Sequence, residues 1–354
     1  MAINLHVKYS DKMQEMFYQN SFIKGRLNNE HSFSGVRTVK VTTALTVPMV
    51  DYTRSGTNRY GTPTDMQDVV QELTLSQDKG FSLVIDKGDN SDQSFMKSAG
   101  KMLNLQLREQ AIPTMDKYCF KQLGIKAGKI TGNSTALTSA NVCDRISTGT
   151  AYMDEKSVPA DGRILYISPA IYKLLKLSDE FMGVEKIANK ALRKGEVGNY
   201  DNMTVVKVPS GTLGENINFM IVYKNAATAP IKISDTKIHK DPPGISGHLL
   251  EGRQYYDCFV FGAKCDGVYV EVNTASGKGV VLTAPTVSAT TGAITGVTSG
   301  ATSFYTIDGS DPRYSDTAQA GTAPTVENGT VVKAYQYKAD AFTSEVTTVK
   351  VTTA

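Results

Sequence analysis

The segment from residue 36 to residue 64 constrains this chain more than any other. Val36, Thr38, Val39, Val41, Thr42, Thr43, Leu45, Thr46 and Val47 follow one another closely. Side chains of this kind favour extended backbone because they pack well on a pleated surface. Pro48 lacks an amide donor, so it ends the run or marks an edge. The stretch that follows, MVDYTRSGTNRYGTPT, is rich in Gly, Thr and Asn and reads as a long loop or hairpin tip. A loop of this length that keeps its β propensity is uncommon inside a compact domain. The segment therefore predicts a chain that lays an extended loop across another subunit.

The flanking elements support a two-part body. Residues 1–32 mix polar and aromatic residues without a clean period. Met13, Met16, Phe17 and Phe22 could share a helix face, but the stretch is too polar for a core of its own and suits an arm packed on a neighbour. Leu73 and Leu75, then Phe81, Leu83 and Ile85, alternate around Asp78-Lys79-Gly80 and predict a hairpin there. A long helix follows, with Asn90 as N-cap and Gln93 at the capping-box position. Phe95, Met96, Ala99, Met102, Leu103 and Leu107 recur at helical spacing, and Met115, Tyr118 and Cys119 resume the pattern. Pro113 between them predicts a kink, since it removes a donor and crowds the preceding turn.

Beyond residue 126 short helices and strands alternate. The pattern predicts a helix over 138–155, a buried strand over 163–167, a short helix over 170–177, and strands over 203–208 and 218–223. Residues 256–273 read as one returning strand pair. Together these make an α+β body. Composition then shifts to Thr, Ala, Ser and Gly, which predicts a linker over 274–283. Residues 284–354 carry short β runs and glycine turns with no helical period, and predict a small, separate all-β sandwich. Arg313, Lys333, Lys338 and Lys350 face six acidic residues there, so this part carries −2 and the body about +5 of the net +3.

Charge and cysteine usage exclude several classes. A net charge of +3 lacks the basic stripe of a sequence-reading nucleic-acid binder, while leaving room for weak contact with a polyanion. Cys119, Cys143, Cys258 and Cys265 have no zinc-type spacing and read as buried free thiols in a reducing compartment. The start, MAINLHVKYSDK, has no apolar signal core, and no apolar run approaches the ~18 residues that span a bilayer. The expectation is a chain made and kept in a cytoplasm-like environment, with no membrane partner.

No catalytic constellation stands out. GxSxG, HExxH, GxGxxG and Walker A patterns are absent. Gly124-Ile125-Lys126-Ala127-Gly128-Lys129 looks like a phosphate loop, but its spacing is one short, no Ser or Thr follows the lysine, and it leaves a helix instead of a strand. His6, His31, His239 and His248 are scattered, and a surface or interface role fits them better than a metal site. Asp86, Asp89, Asn90 and Asp92 are dense enough for a calcium loop but lack its glycine and distal glutamate, so helix capping explains them better. Asp308-Gly309-Ser310-Asp311-Pro312 reads as a tight turn. The Asn-x-Thr sequences at Asn202 and Asn328 carry no weight without a secretory route. The chain is thus expected to be no enzyme, with no catalytic, cofactor-binding or metal residues and no cofactor.

An ordered series of segments runs through the body: TVKV at 38–41, VDYTR at 50–54, LTLSQDKGFSLVID at 73–86, DNSDQSF at 89–95, Ile112-Pro113 with Met115-Asp116-Lys117-Tyr118, VPADGRILYISP at 158–169 and VVKVP at 205–209. The series resembles the major capsid proteins of tailed bacteriophages, with the Hong Kong 97-type fold. The resemblance implies an N-terminal arm at 1–32 and an extended loop at 33–72. It implies a peripheral domain with a spine helix at 73–129 and 251–273, and an axial domain at 130–250. It also implies a shell of hexamers and pentamers around double-stranded DNA, assembled in the host bacterial cytoplasm, with scaffolding, portal and decoration proteins as partners. Some such capsids cross-link a loop lysine to an asparagine; Lys40 lies in the loop, but no motif assigns it that chemistry.

In the C-terminal part, FYTIDGSDP at 304–312 and GTVVKAY at 329–335 resemble the Ig-like domain at the C-terminus of chitobiases and β-hexosaminidases. The resemblance implies a non-catalytic module displayed outward, for spacing or for contact with glycans or host surfaces. Two other readings stand beside the phage shell: an encapsulin-type compartment, and a carbohydrate-binding surface protein that owns the C-terminal module.

Overall fold

The chain, as a computed structural model, is described over residues 20–31, 33, 36–44, 49–63, 68–92, 98–178, 196–275 and 279–352. Met13, Met16, Phe17, Pro48, Gln93, Phe95 and Met96 lie outside these residues.

Strands β1 (Thr38–Ala44) and β2 (Asp68–Thr74) form an antiparallel hairpin in seven-residue register, Thr38 facing Thr74 and Ala44 facing Asp68. β3 (Gln77–Asp86) does not fold back on β2. It runs straight through Asp78-Lys79-Gly80 and pairs along its whole length with β11 (Gly247–Tyr256), which pairs in turn with β10 (Ile231–Lys240). The hairpin expected at 78–80 is therefore absent. The local turn signal loses to a ten-residue ladder with a distant segment, reinforced where Arg253 grips Asp78 at 2.6 and 2.9 Å. The chain turns instead at Leu75-Ser76, where the Ser76 amide donates to Asp257.

Helix α1 (Lys87–Asp92) starts three residues before the expected cap. The Asp86 carboxylate accepts from the amides of Gly88 and Asp89 at 2.7 and 3.2 Å, so Asp86 is the cap and Asn90 lies inside the helix. Helices α2 (Ala99–Gln106) and α3 (Ile112–Ile125) are joined without a break by a π-turn at Leu107–Ala111. Pro113 falls just after that turn. A wider turn absorbs the missing donor and the crowding of the ring, so the helix continues through the proline.

The centre of the body is a mixed sheet in the order β4-β13-β8-β5-β7-β6. Its strands are β4 (Lys129–Asn133), β5 (Arg163–Ile167), β6 (Glu196–Tyr200), β7 (Met203–Lys207), β8 (Ile217–Tyr223) and β13 (Val268–Asn273). Period-two alternation sorts the side chains. Ile164, Tyr166, Val206, Met220 and Val222 join Phe120 and Leu123 of α3 on one face. Leu165, Ile167, Val205, Phe219 and Ile221 join α4 (Val142–Glu155) and α5 (Pro169–Lys176) on the other. A sheet covered on both faces reads as continuous hydrophobic runs, which is why RILYI and INFMIVY stand out in the sequence.

The helix expected from Thr138 begins at Val142 because Asn141 bonds backward to the Thr138 amide and the Ala136 carbonyl, holding a turn. One buried ion pair ties α4 to the sheet: Arg145 holds Glu271 of β13 at 2.9 and 2.7 Å, and Asn218 donates to the same carboxylate. The strand pair expected over 256–273 divides. β12 (Phe259–Val260) pairs with β9 (Ala227–Thr228), a 3₁₀ stretch covers Gly262–Gly267, and β13 enters the central sheet. The boundary drawn at 250–251 falls inside β11. A four-residue helix, α6 (Ser210–Leu213), packs against α3.

Residues 20–31 and 33 pack on their own chain. Phe22, Ile23 and Leu27 are buried in the core beneath α3. The Asp116 carboxylate accepts from Ser21 Oγ at 2.7 Å and the Phe22 amide at 2.8 Å. Burial raises the Asp116 pKa, and these two hydrogen bonds partly offset the shift.

The C-terminal part is all-β. β14 (Thr286–Val287) pairs with β15 (Ile294–Thr295), and a four-stranded sheet runs β17 (Gln319–Ala320), β16 (Thr302–Thr306), β18 (Val331–Tyr337), β19 (Thr347–Lys350). Val287, Ile294, Tyr305, Val332, Ala334 and Val351 form its small core. It is not set apart from the body as expected. Val281 bridges to Phe342 in parallel, and several side chains of the unit reach the turn after α3.

Candidate assembly surfaces

Two surfaces fail to bury themselves against the chain that carries them. The first is the β1–β2 arm. Its base is fixed by packing: Phe33, Leu73, Leu75, Phe259 and Phe261 form one buried cluster, with Phe33 and Phe259 stacked at 6.0 Å. Gln71 bridges it to the body, donating to the Val260 carbonyl at 2.9 Å and accepting from the Gly262 amide at 2.8 Å.

Asp257 closes the joint. Its carboxylate accepts from Tyr118 Oη and the Ser76 amide, each at 2.8 Å, and from its neighbour Cys258's amide at 2.7 Å. One carboxylate thus links the β2–β3 turn to the helix spine. Burial pushes the Tyr118 hydroxyl above its ordinary value, so it stays a donor at neutral pH.

Away from this base no described residue of the arm is buried. Residues 49–63 form a turn closed by a Thr53-to-Arg59 backbone bond at 3.1 Å. Met49 is fully exposed and Tyr60 86% exposed, with Val50 and Tyr52 about half exposed. Tyr52 and Tyr60 touch edge to face at 5.0 Å, an aromatic pair with nothing from the described body above it. Single exposed apolar residues are ordinary, but four clustered at the end of a projecting ribbon are the composition of a contact surface.

The second surface is the β10-β11-β3 sheet. Most of its residues are exposed or half-buried, including Val84, Ile231 and Ile238. The Arg253–Asp78 pair lies across it, and its hydrogen bonds hold the Asp78 pKa below the usual carboxylate range. β10 and β3 form the outer strands, which leaves backbone donors and acceptors at both edges for a further strand.

The residues singled out for chemistry are dispersed. Lys40 pairs with Glu72 across the arm at 2.5 Å, and that hydrogen bond raises its pKa. His31 packs on Phe261, and His239 faces Glu251 at 3.1 Å on the outer sheet; His6 lies outside the described residues. Asp308 caps its own turn, accepting from Ser310 and Thr317. Burial pushes the Asp308 pKa up, but these bonds outweigh it and leave it below its ordinary value.

The four cysteines are buried and unbridged. Among the described residues no cluster of His, Cys, Asp and Glu has metal-binding geometry, and no helix is long and apolar enough to cross a membrane. Gly124 to Lys129, the look-alike phosphate loop, turns against the C-terminal unit. Sequence reasoning missed β10 and β11, because KISDTKIHK buries neither face and HLLEGRQYY buries Leu250, Gly252 and Tyr256 without a clean alternation.

The sequence matches no protein-family profile and no curated protein. Solved structures match over the fold. A chain of Mycobacterium phage Che8 is 18% identical and matched over its whole length by 78% of this chain, with a TM-score of 0.63. A chain of the capsid of the cyanophage P-SCSP1u is 11% identical, with 77% and 93% of the two chains covered and a TM-score of 0.61. A chain of the mature capsid of bacteriophage PhiM1 is 15% identical, with 77% and 92% covered and a TM-score of 0.59. The chain therefore has a fold found in phage capsids. Since the Che8 chain is used up by 78% of this one, the remaining 22% has no counterpart there.

Proposed function

We propose that this chain is the coat subunit of a tailed-bacteriophage head. It builds a closed shell of hexamers and pentamers around double-stranded DNA, assembled in the bacterial cytoplasm. The observation that carries the reading is an arm anchored at its base and apolar at its tip, on a body folded like solved phage capsid chains. Closed shells repeat one set of contacts, and obligate interfaces bury roughly 2,000–5,000 Å². An arm that reaches over a neighbour supplies such area without enlarging the body. The Hong Kong 97-type division into peripheral and axial parts belongs to the same reading, redrawn on the observed sheets: the central sheet, with β13 from the expected peripheral part, is axial, and the helix spine and outer sheet, with β10 from the expected axial part, are peripheral. A body charge of about +5 suits weak, sequence-independent contact with packaged phosphates. Scaffolding and portal proteins are the partners this reading implies, with a decoration protein as a further candidate. The Ig-like C-terminal unit belongs on the outer surface, and glycans or host surfaces are its candidate ligands.

Electron microscopy of the expressed full chain, alone and with its phage's assembly proteins, tests the proposal. Regular shells or capsomers are expected. The double variant Met49→Ser, Tyr60→Ser should keep the folded subunit and lose the shells. A stable monomer under every condition would overturn the reading, and shells formed equally well by the double variant would remove the arm tip from it. A nucleic-acid stain of particles from infected cells separates a genome container from an encapsulin-type compartment.

A further inference from the structure

The hexapeptide from Gly124 to Lys129 is gripped residue by residue by the C-terminal unit. α3 ends at Ile125, so the carbonyls of its last turn and of the turn that follows have no partner within the helix. Thr343 Oγ1 donates to the Ile125 carbonyl at 2.8 Å, and Tyr314 Oη to the Lys126 carbonyl at 2.6 Å. Arg313 Nη1 donates to the carbonyls of Ala127 and Gly128 at 2.9 and 3.1 Å. Four consecutive carbonyls are thereby taken by three side chains of one distant unit. At the two ends of the hexapeptide, Gly124 lies against Phe342, and the Lys129 ammonium pairs with Glu345.

The grip is built in on both sides. Arg313 is 9% exposed, and Asp311 fixes its other edge through contacts of 2.7 to 3.3 Å. Asp311 also accepts from the Arg313 amide, so the tight turn seen in the sequence is what aims the guanidinium. The ring of Tyr314 lies under the same guanidinium at 5.2 Å. On the body side, a Cβ at Gly262 would come within 2.8 Å of the Tyr314 side chain, and one at Gly128 within 2.4 Å of the Cys265 carbonyl oxygen. Glycine at 262 lets Tyr314 seat on the body, and glycine at 128 lets the gripped turn close on the Gly262–Gly267 stretch. A guanidinium at a helix C-terminus also opposes the negative end of the helix dipole.

We propose that the C-terminal β unit is an intramolecular clamp on the spine helix: Arg313, Tyr314 and Thr343 cap the α3–β4 turn, and the folding of that turn depends on the unit. The proposal does not rest on the shell reading, since the clamp acts within one chain. Its consequence is that the unit is carried at a fixed position and is not free to swing on a linker.

Hydrogen exchange of the full chain, read by mass spectrometry, tests this. The double variant Tyr314→Phe, Thr343→Val removes two cap hydroxyls and keeps the arginine. Exchange over residues 120–133 is expected to rise by about tenfold, the scale of one or two lost hydrogen bonds. Arg313→Ala should raise it further, and Arg313→Lys should fall between the two, because lysine keeps the charge without the fork. Lys338→Ala, on an exposed bond to the Ser299 carbonyl, serves as control and should change nothing at 120–133. Unchanged exchange at 120–133 in the double variant, or acceleration confined to 284–352, would overturn the proposal. If Arg313→Ala does not fold, the double variant still decides.

Discussion

The β1–β2 arm and the C-terminal unit are both β-rich attachments to the same body, and they treat their apolar surface in opposite ways. The arm buries only its base, under Leu73, Leu75 and Phe33, and carries Met49, Val50, Tyr52 and Tyr60 outward. The C-terminal unit closes a core of its own around Val332 and Ala334 and then turns its polar side chains onto backbone carbonyls of the body. An attachment that exposes apolar residues at its far end leaves a surface that, on the proposed reading, a neighbouring subunit covers. One that spends buried arginine, tyrosine and threonine on its own body is completed within the chain. Hydrophobic contact suits the first role because it is strong and tolerant of orientation, whereas directional hydrogen bonds suit the second because they fix one pose.

The comparison breaks most severely at the base of the arm. Leu75 is fully buried there, and Leu75→Ala should cost about 3 kcal/mol. Denaturant titration gives the loss, and hydrogen exchange should find it in the arm and the α3 joint with the 284–352 core unchanged. A uniform loss across both regions would mean that the two attachments are not independent. A smaller change follows at the Asp257 joint. Tyr118→Phe leaves a buried carboxylate short of one donor and should cost about 1–2 kcal/mol by the same titration, while leaving an arm whose strands still pair.

Acid gives the smallest effect and treats the outer sheet and the C-terminal unit alike. The Asp78 and Asp308 carboxylates both titrate below their unfolded values in the native state. Each therefore contributes stability above the unfolded carboxylate pKa of about 4, and that contribution is lost as pH falls through the lower folded value. Asp116 acts in the opposite sense, since its raised pKa lets the native state take up a proton first. Asp78→Asn should flatten the acid limb of a stability-versus-pH profile below about pH 4, and an unchanged limb would remove the Arg253 pair from the account of the outer sheet.

Much of the body was legible in the sequence. Arg163–Ile167, Pro169–Lys176, Met203–Lys207 and Ile217–Tyr223 fall within a residue or so of their expected positions, because strands buried on two faces and helices with one apolar stripe write their period into the sequence. The arm was legible as a β-rich run with a glycine-rich tip, although nothing local said that its partner strand would be Asp68–Thr74 and not Gln77–Asp86. The missed elements are those whose stabilisation is remote. β10 buries little, and both strands are defined by pairing with distant or later segments, β11 with β3 and β10 with β11.

The same division holds for the long loop-forming segment and the hexapeptide after α3. The sequence by itself determined that residues 36–64 cannot pack as a compact element, since dense β formers run into a stretch too long and too polar to bury. It determined as well that the last seventy-odd residues form an all-β unit. Only the tertiary structure decided where that unit docks. Gly124 to Lys129 has a composition that suggests a ligand loop, yet four of its carbonyls are occupied by side chains 185 to 218 positions away. Backbone carbonyls are alike in every residue, so the partner that caps them leaves no mark on the segment being capped.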